Sequence, residues 1–223
     1  TSRVGKAIRK ASPSTPLIKY VGPQVWASRP KRARALAKTA DHLLALYSFD
    51  APWFEREGLA TTVVGSQALN LDLSAANGAA FRRRHAVDPA APLLLILPGS
   101  RPGEIARMTP VYEQTAVRLK AELPELQIAV VASAMVDAEV RGRVAAWPFR
   151  AHLVEELEKY DAMKAADAAL ATSGTVTLEV AVAGAPMVIA YRIGAISYAI
   201  ARRIVTAPFI TPFNLAPGRG GGP

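Results

Sequence analysis

Short apolar runs alternate with helix-length segments from one end of the chain to the other. The runs are Leu17 to Val21, His42 to Leu46, Thr61 to Val64, Leu93 to Leu97, Gln127 to Ala132, Ala168 to Ala171 and Met187 to Ala190. Strands that alternate with helices predict an α/β fold of doubly wound parallel sheets with helices on both faces. Such sheets bind ligands beyond the carboxyl ends of their strands, so the loops that follow the runs are where chemistry is expected. Between Val64 and Leu93 the pattern weakens into Asn70 to Asn77, a basic helix from Phe81 to His85, and Asp88-Pro89-Ala90-Ala91-Pro92. This stretch reads as a connection between two Rossmann-like lobes. The boundary is placed near Ser74, giving a first, incomplete lobe over 1–73 and a second over 74–223. The ends, Thr1 and the Gly218-to-Pro223 run, read as cut.

With 223 residues and 51% hydrophobic content, the chain can bury one large core or two smaller ones. The absence of cysteine excludes disulfides, thiol nucleophiles and cysteine-ligated metals, and it fits a reducing, cytoplasmic compartment. His42, His85 and His152 are scattered, so no metal site is expected. The formal charge of +9 favours anionic partners. Nucleic acid has the least support among them, because the cations are dispersed and no recognition motif appears. Glu179, Arg192, Arg202 and Arg203 interrupt the apolar C-terminal third, which leaves no apolar stretch long enough to span a membrane.

The segment from Asp167 to Glu179 carries the clearest chemistry. An apolar strand runs into Ser173-Gly174-Thr175, and a helix opens there. A turn of small residues admits a ligand close to the backbone, and the free N–H groups of the new helix favour a phosphate. Glu179, six residues after Ser173, can face the same ligand and accept hydrogen bonds from a sugar diol. The competing reading is an ordinary βαβ unit whose Ser/Thr cluster only caps a helix. A second such loop is Leu97-Pro98-Gly99-Ser100-Arg101, where the Arg101 guanidinium can fork onto two phosphate oxygens or pair locally with Glu104. A third is Tyr20 to Arg29, in which Gln24, Trp26 and several cations suit a polar, phosphorylated ligand. Its plainer reading makes Trp26 core filling and the basic run a solvated helix face. From Tyr191 to Asn214 the chain is apolar, aromatic and basic, a pattern that serves either as a core helix or against an anionic lipid surface.

Taken in order and spacing, these stretches, together with Pro186-Met187-Val188, Tyr191-Arg192 and Asn214-Leu215-Ala216, resemble the lipid-A-disaccharide synthase family. The resemblance implies a GT-B glycosyltransferase that joins UDP-2,3-diacylglucosamine to 2,3-diacylglucosamine 1-phosphate and releases UDP, with inversion by attack of the acceptor's 6-hydroxyl. It implies that Arg101 neutralises the pyrophosphate, that Ser173, Gly174 and Thr175 offer it N–H groups, that Glu179 binds the ribose diol, and that Asn214 closes the nucleotide pocket. Gln24 and Trp26 fall in the family's first motif and are expected to contact substrate. No cofactor is implied. The catalytic base is expected in an aspartate-bearing loop before Thr1. Gly22 and Ser28 stand where the family commonly has Ser and Trp, and Ser66-Gln67 where it has His-Pro. The implied partners are the UDP-sugar glycolipid donor, the phosphorylated glycolipid acceptor and an anionic membrane surface on the cytoplasmic side of the inner membrane; a homodimer stays open. Two other readings are a truncated piece that binds UDP or anionic lipid without turnover, and a non-hydrolysing epimerase on the same scaffold, for which no convincing pair of carboxylates is found.

Overall fold

A computed structural model describes residues 2–25, 30–194 and 198. It divides into two compact units, one containing the described residues up to Gln67 and the other Ala68–Ile193. The division falls a few residues before Ser74.

In the first unit, α1 (Ser2–Ala11), β1 (Ile18–Tyr20), α2 (Lys31–Ala37), β2 (His42–Ala45), α3 (Ala51–Glu55) and β3 (Ala60–Val63) follow one another. The three strands are parallel in the order β1-β2-β3. Val25, Ala33, Leu43, Ala45, Phe54 and Leu59 form its core. Gly22 packs so closely on this core that a Cβ there would lie 2.8 Å from the Phe54 ring, which accounts for glycine at this position. A cavity of about 530 Å³ opens between α1, β1 and α2, walled by Leu17, Val21 and Leu36 and bearing Lys6, Lys19 and Arg32.

The second unit continues with α4 (Gly78–Arg84), β4 (Leu93–Leu97), α5 (Pro102–Glu122), β5 (Gln127–Ala132), α6 (Asp137–Ala145), β6 (His152–Glu155), α7 (Lys159–Ala165), β7 (Ala168–Thr172), α8 (Val176–Ala183) and β8 (Met187–Ala190). Its five parallel strands lie in the order β6-β5-β4-β7-β8. Strand β4 is buried along its whole length because both faces are covered. Leu93, Leu95 and Leu97 pack with Phe81 of α4, Met163 of α7 and Val180 of α8. Leu94 and Ile96 face the other way, onto Ile105, Met108 and Tyr112 of α5 and Val140 of α6. The seven apolar runs read from the sequence are all strands. The eighth strand, β6, is half polar and lies at a sheet edge, where only Val154 of its four residues is buried.

The basic run around α4 is structural cement within the second unit. Phe81 is fully buried, and a Cβ on Gly78 would lie 2.7 Å from the Lys164 and Ala165 backbone of α7. Arg82 donates to the carbonyls of Asp88, Ala91 and Ala165 and to the Asp167 carboxylate. Arg84 bridges Glu158 and Asp161, at 2.9 and 2.6 Å. Asn77 caps α4 by accepting the Ala80 N–H, and its own N–H donates to Asp161. The α4 segment is thus bound tightly into the second unit.

Two outcomes are expected. Gly78→Ala forces α4 off α7 against backbone that cannot yield, and should lower the urea midpoint by an amount equivalent to about 1–3 kcal/mol, the usual cost of overpacking. The hydrogen bond from Arg84, with that from the Asn77 N–H, holds the Asp161 carboxyl below its ordinary range. A depressed folded-state pKa contributes stability above the unfolded value, lost as pH falls through the folded one. Arg84→Met should therefore shrink the stability difference between neutral pH and pH values below the ordinary aspartate pKa of 3.8, as read from urea midpoints across that range.

Candidate functional site: the carboxyl edge of the second sheet

From β4 the chain winds outward through β5 to β6, then crosses to the opposite side of β4 for β7 and β8. Because such crossovers are right-handed, reversing direction moves the following helix to the other face of the sheet. Accordingly α5 packs on one face and α8 on the other. The loops after β4 and β7 therefore flank the point where the strand order reverses, the place at the carboxyl edge where this class of sheet holds ligands. The pairing of Leu97 with Ala171 makes those two loops neighbours.

The loop after β4 is folded by one carboxylate. Gly99 has φ +115°, and a Cβ there would meet Glu104 Oε2 at 2.7 Å, so glycine is required on two counts. Glu104 accepts the Ser100 N–H at 3.1 Å through Oε2 and the Arg101 guanidinium at 2.8 Å through Oε1. The two side chains differ sharply in exposure, 9% for Glu104 and 76% for Arg101. The local ion pair therefore exists, and it anchors Arg101 at Nη1 only. A guanidinium carries five N–H donors, so such an anchored cation can still fork onto an anion.

The loop after β7 is tied down at its base. Thr172 Oγ1 and the Tyr112 hydroxyl of α5 are 3.0 Å apart and buried, which joins the end of β7 to the helix that starts at the other loop. Burial pushes the Tyr112 hydroxyl up to about 12 despite the Thr172 hydrogen bond, so it stays neutral. The Ser173 N–H donates to the Ala190 carbonyl of β8, at 3.1 Å. Ser173 can thus offer a ligand its hydroxyl, while the backbone donors of this turn that have no partner among the described residues are those of Gly174, Thr175 and Val176. Gly174 and Thr175 are exposed, and a Cβ on Gly174 would meet nothing within 4 Å. Thr175 stands at the N-cap of α8 without a side-chain capping bond, and the Thr177 hydroxyl satisfies the Gly174 carbonyl instead. The Ser/Thr cluster is not consumed by capping. Glu179 lies in the opening turns of α8, where its carboxylate meets Lys159 Nζ at 2.7 Å.

Among the sequence-expected residues, Arg101, Ser173, Gly174, Thr175 and Glu179 belong to this one edge of the second unit. Gln24 lies exposed in the first unit, in the loop after β1, while Trp26 and Asn214 lie outside the described residues. Three supporting residues escaped the sequence. Tyr112 falls on the apolar stripe Ile105-Met108-Tyr112-Ala116, where a hydroxyl in a core position signals a buried partner. Glu104 entered only as a competitor for Arg101. Lys159, twenty residues before Glu179, left no local signal.

A family model described as lipid-A-disaccharide synthetase matches residues 1–221. A lipid-A-disaccharide synthase of Rhodospirillum centenum is 44% identical over 214 residues, covering 96% of this chain and 53% of the relative. Those of Paramagnetospirillum magneticum and Ruegeria pomeroyi are 39% and 40% identical, each covered over 55% of its length. The chain spans about half the length of the curated relatives it matches. Among solved structures, a glycosyl transferase family 9 protein of Veillonella parvula aligns with a TM-score of 0.47 at 12% identity, over 96% of this chain and 72% of the other.

Removing the Tyr112 hydroxyl should loosen the base of the β7 loop. Tyr112→Phe leaves the buried Thr172 hydroxyl without its partner, and the expected loss is about 1–3 kcal/mol of unfolding free energy, measured by chemical denaturation.

Proposed function

The chain belongs to the lipid-A-disaccharide synthetase family, and from that premise we propose that its second unit is the nucleotide-sugar-binding lobe of a GT-B glycosyltransferase. The proposed reaction transfers 2,3-diacylglucosamine from UDP-2,3-diacylglucosamine to 2,3-diacylglucosamine 1-phosphate. The acceptor's 6-hydroxyl oxygen bonds to the donor's anomeric carbon, the bond from that carbon to the pyrophosphate oxygen breaks, the hydroxyl proton leaves to a base, and UDP departs with the electron pair.

The observation that carries this reading is the adjacency of the loops after β4 and β7, with an anchored, exposed guanidinium on one loop and uncommitted donors on the other. The donor pyrophosphate is placed there, against Arg101, the Gly174 and Thr175 N–H groups and the Ser173 hydroxyl, with Glu179 on the ribose diol. As UDP leaves, negative charge builds on the pyrophosphate, and donors fixed before the reaction stabilise it without reorganising. The first unit is assigned to the acceptor side. Its cavity, with apolar walls beside Lys6, Lys19 and Arg32, complements a phosphorylated acyl sugar, and Gln24, Trp26 and Asn214 are assigned to the substrates on the family's motifs alone. No helix among the described residues is long and apolar enough to cross a membrane. The +9 charge supports peripheral contact with anionic lipid, the surface on which both substrates would reside.

Because the chain spans about half of its relatives, a unit that binds UDP without turnover is the second reading. One experiment addresses both. Calorimetric titration with UDP should show binding, and Arg101→Ala should weaken it by about 1.5–3 kcal/mol, the range for hydrogen bonds to a charged group. An unchanged affinity would remove Arg101 from the pyrophosphate. UDP release from the two lipid substrates then separates a transferase from a binding unit.

A further inference from the structure

The residue that faces Glu179 comes from another helix. Lys159 is the first residue of α7, and its Nζ approaches Glu179 Oε2 at 2.7 Å across the space between α7 and α8. The two side chains are only 18% and 16% exposed. Oε2 itself is shielded from solvent, and the contact has the distance of an ion pair without the alignment of a hydrogen bond. The ammonium also lies 4.8 Å from the centroid of the Tyr160 ring, a second interaction that holds it in place. Burial alone would lower the Lys159 pKa, but the short contact with Glu179 and its charge outweigh burial and leave it raised, so the ammonium stays charged at neutral pH.

A carboxylate with few degrees of freedom left is what a diol requires. Glu179 emerges from the opening turns of α8, where the helix dipole already favours negative charge. Its side chain has three rotatable bonds, and without a partner its oxygens would be free to swing away from a ligand on the sheet edge. With Oε2 taken by Lys159, the acceptor presented to a ligand is Oε1. Resting on the assignment of Glu179 to the ribose, we propose that Lys159 is the positioning residue of the nucleotide site, fixing the Glu179 carboxylate through Oε2 so that Oε1 receives the hydroxyls of the ribose diol.

A merely structural ion pair would lower stability when broken and weaken all nucleotides alike. The measurement is therefore a ratio: the affinity of the full chain for UDP against that for 2′,3′-dideoxy-UDP, by calorimetry, with a thermal melt of each variant. The unsubstituted chain should prefer UDP by about tenfold or more, as expected when hydrogen bonds to a charged acceptor are lost. Lys159→Met, close in shape, should bring the ratio to within about threefold of unity while changing affinity for the dideoxy nucleotide far less. Lys159→Arg should restore most of the preference, and Lys159→Gln provides the same comparison should the Met variant fail to fold. Glu179→Gln separates the two layers. If it leaves the ratio unchanged, the ribose assignment itself falls. If it abolishes the preference while Lys159→Met and Lys159→Gln keep it, or if those variants weaken both nucleotides equally, the role of Lys159 is overturned. A chain that binds neither nucleotide overturns both.

Discussion

The second unit depends on β4 being covered on both faces while its neighbours were laid down in opposite directions. Burying Leu93, Leu95 and Leu97 on one side and Leu94 and Ile96 on the other demands helices above and below. A chain that winds only one way would put its helices on one face and leave half of that apolar surface in water, at a cost of roughly 25 cal/mol for each Å² exposed. The reversal at β4 solves the burial problem, and the point of reversal flanked by the loops after β4 and β7 follows from the same geometry. The place where a ligand can approach the sheet is thus a by-product of packing the core.

At that point, the side chains matter chiefly through what is already committed. Glu104 spends its carboxylate on Ser100 and Arg101, Tyr112 meets Thr172, and Lys159 meets Glu179. Each contact fixes a group that would otherwise move, while the Gly174 and Thr175 amides have no partner among the described residues. A site whose supporting bonds are closed before a ligand arrives loses less conformational freedom on binding, which is the physical content of preorganisation.

The sequence disclosed seven strands because their residues are mostly apolar or β-branched, including β1, β3 and β8, in which no residue is fully buried. It concealed β6, whose four residues, His152-Leu153-Val154-Glu155, are half polar, with charged residues close by on both sides. The partners of the α4 arginines were hidden for another reason. Besides the nearby carbonyls of Asp88 and Ala91, Arg82 and Arg84 find partners more than seventy residues away, at Glu158, Asp161, Ala165 and Asp167. Pairing at that separation is set by topology and leaves no trace in local pattern. The same holds for Lys159 and Glu179. By contrast, the Arg101 loop and the Ser173 turn were legible because strand, turn and helix start are adjacent in the chain. What local pattern could not show was that the Ser173 N–H would be spent on Ala190 of the neighbouring strand.

Net charge is a poor guide to which cations can meet a ligand, and two arginines in the same unit show why. Arg82 is mostly buried, its carboxylate partner Asp167 is largely exposed, and the other three N–H donors of its two terminal nitrogens go to backbone carbonyls. Arg101 has the reverse arrangement, with the carboxylate buried and the guanidinium in solvent. In the first case the protein has desolvated the cation and satisfied it internally, so no anion could displace those bonds without breaking the fold. In the second it has desolvated the anion, which is held by the Ser100 N–H as well, and the cation remains hydrated and able to trade water for phosphate oxygens. The sense of that asymmetry, rather than the excess of basic residues, marks the loop after β4 as a place for an anionic ligand.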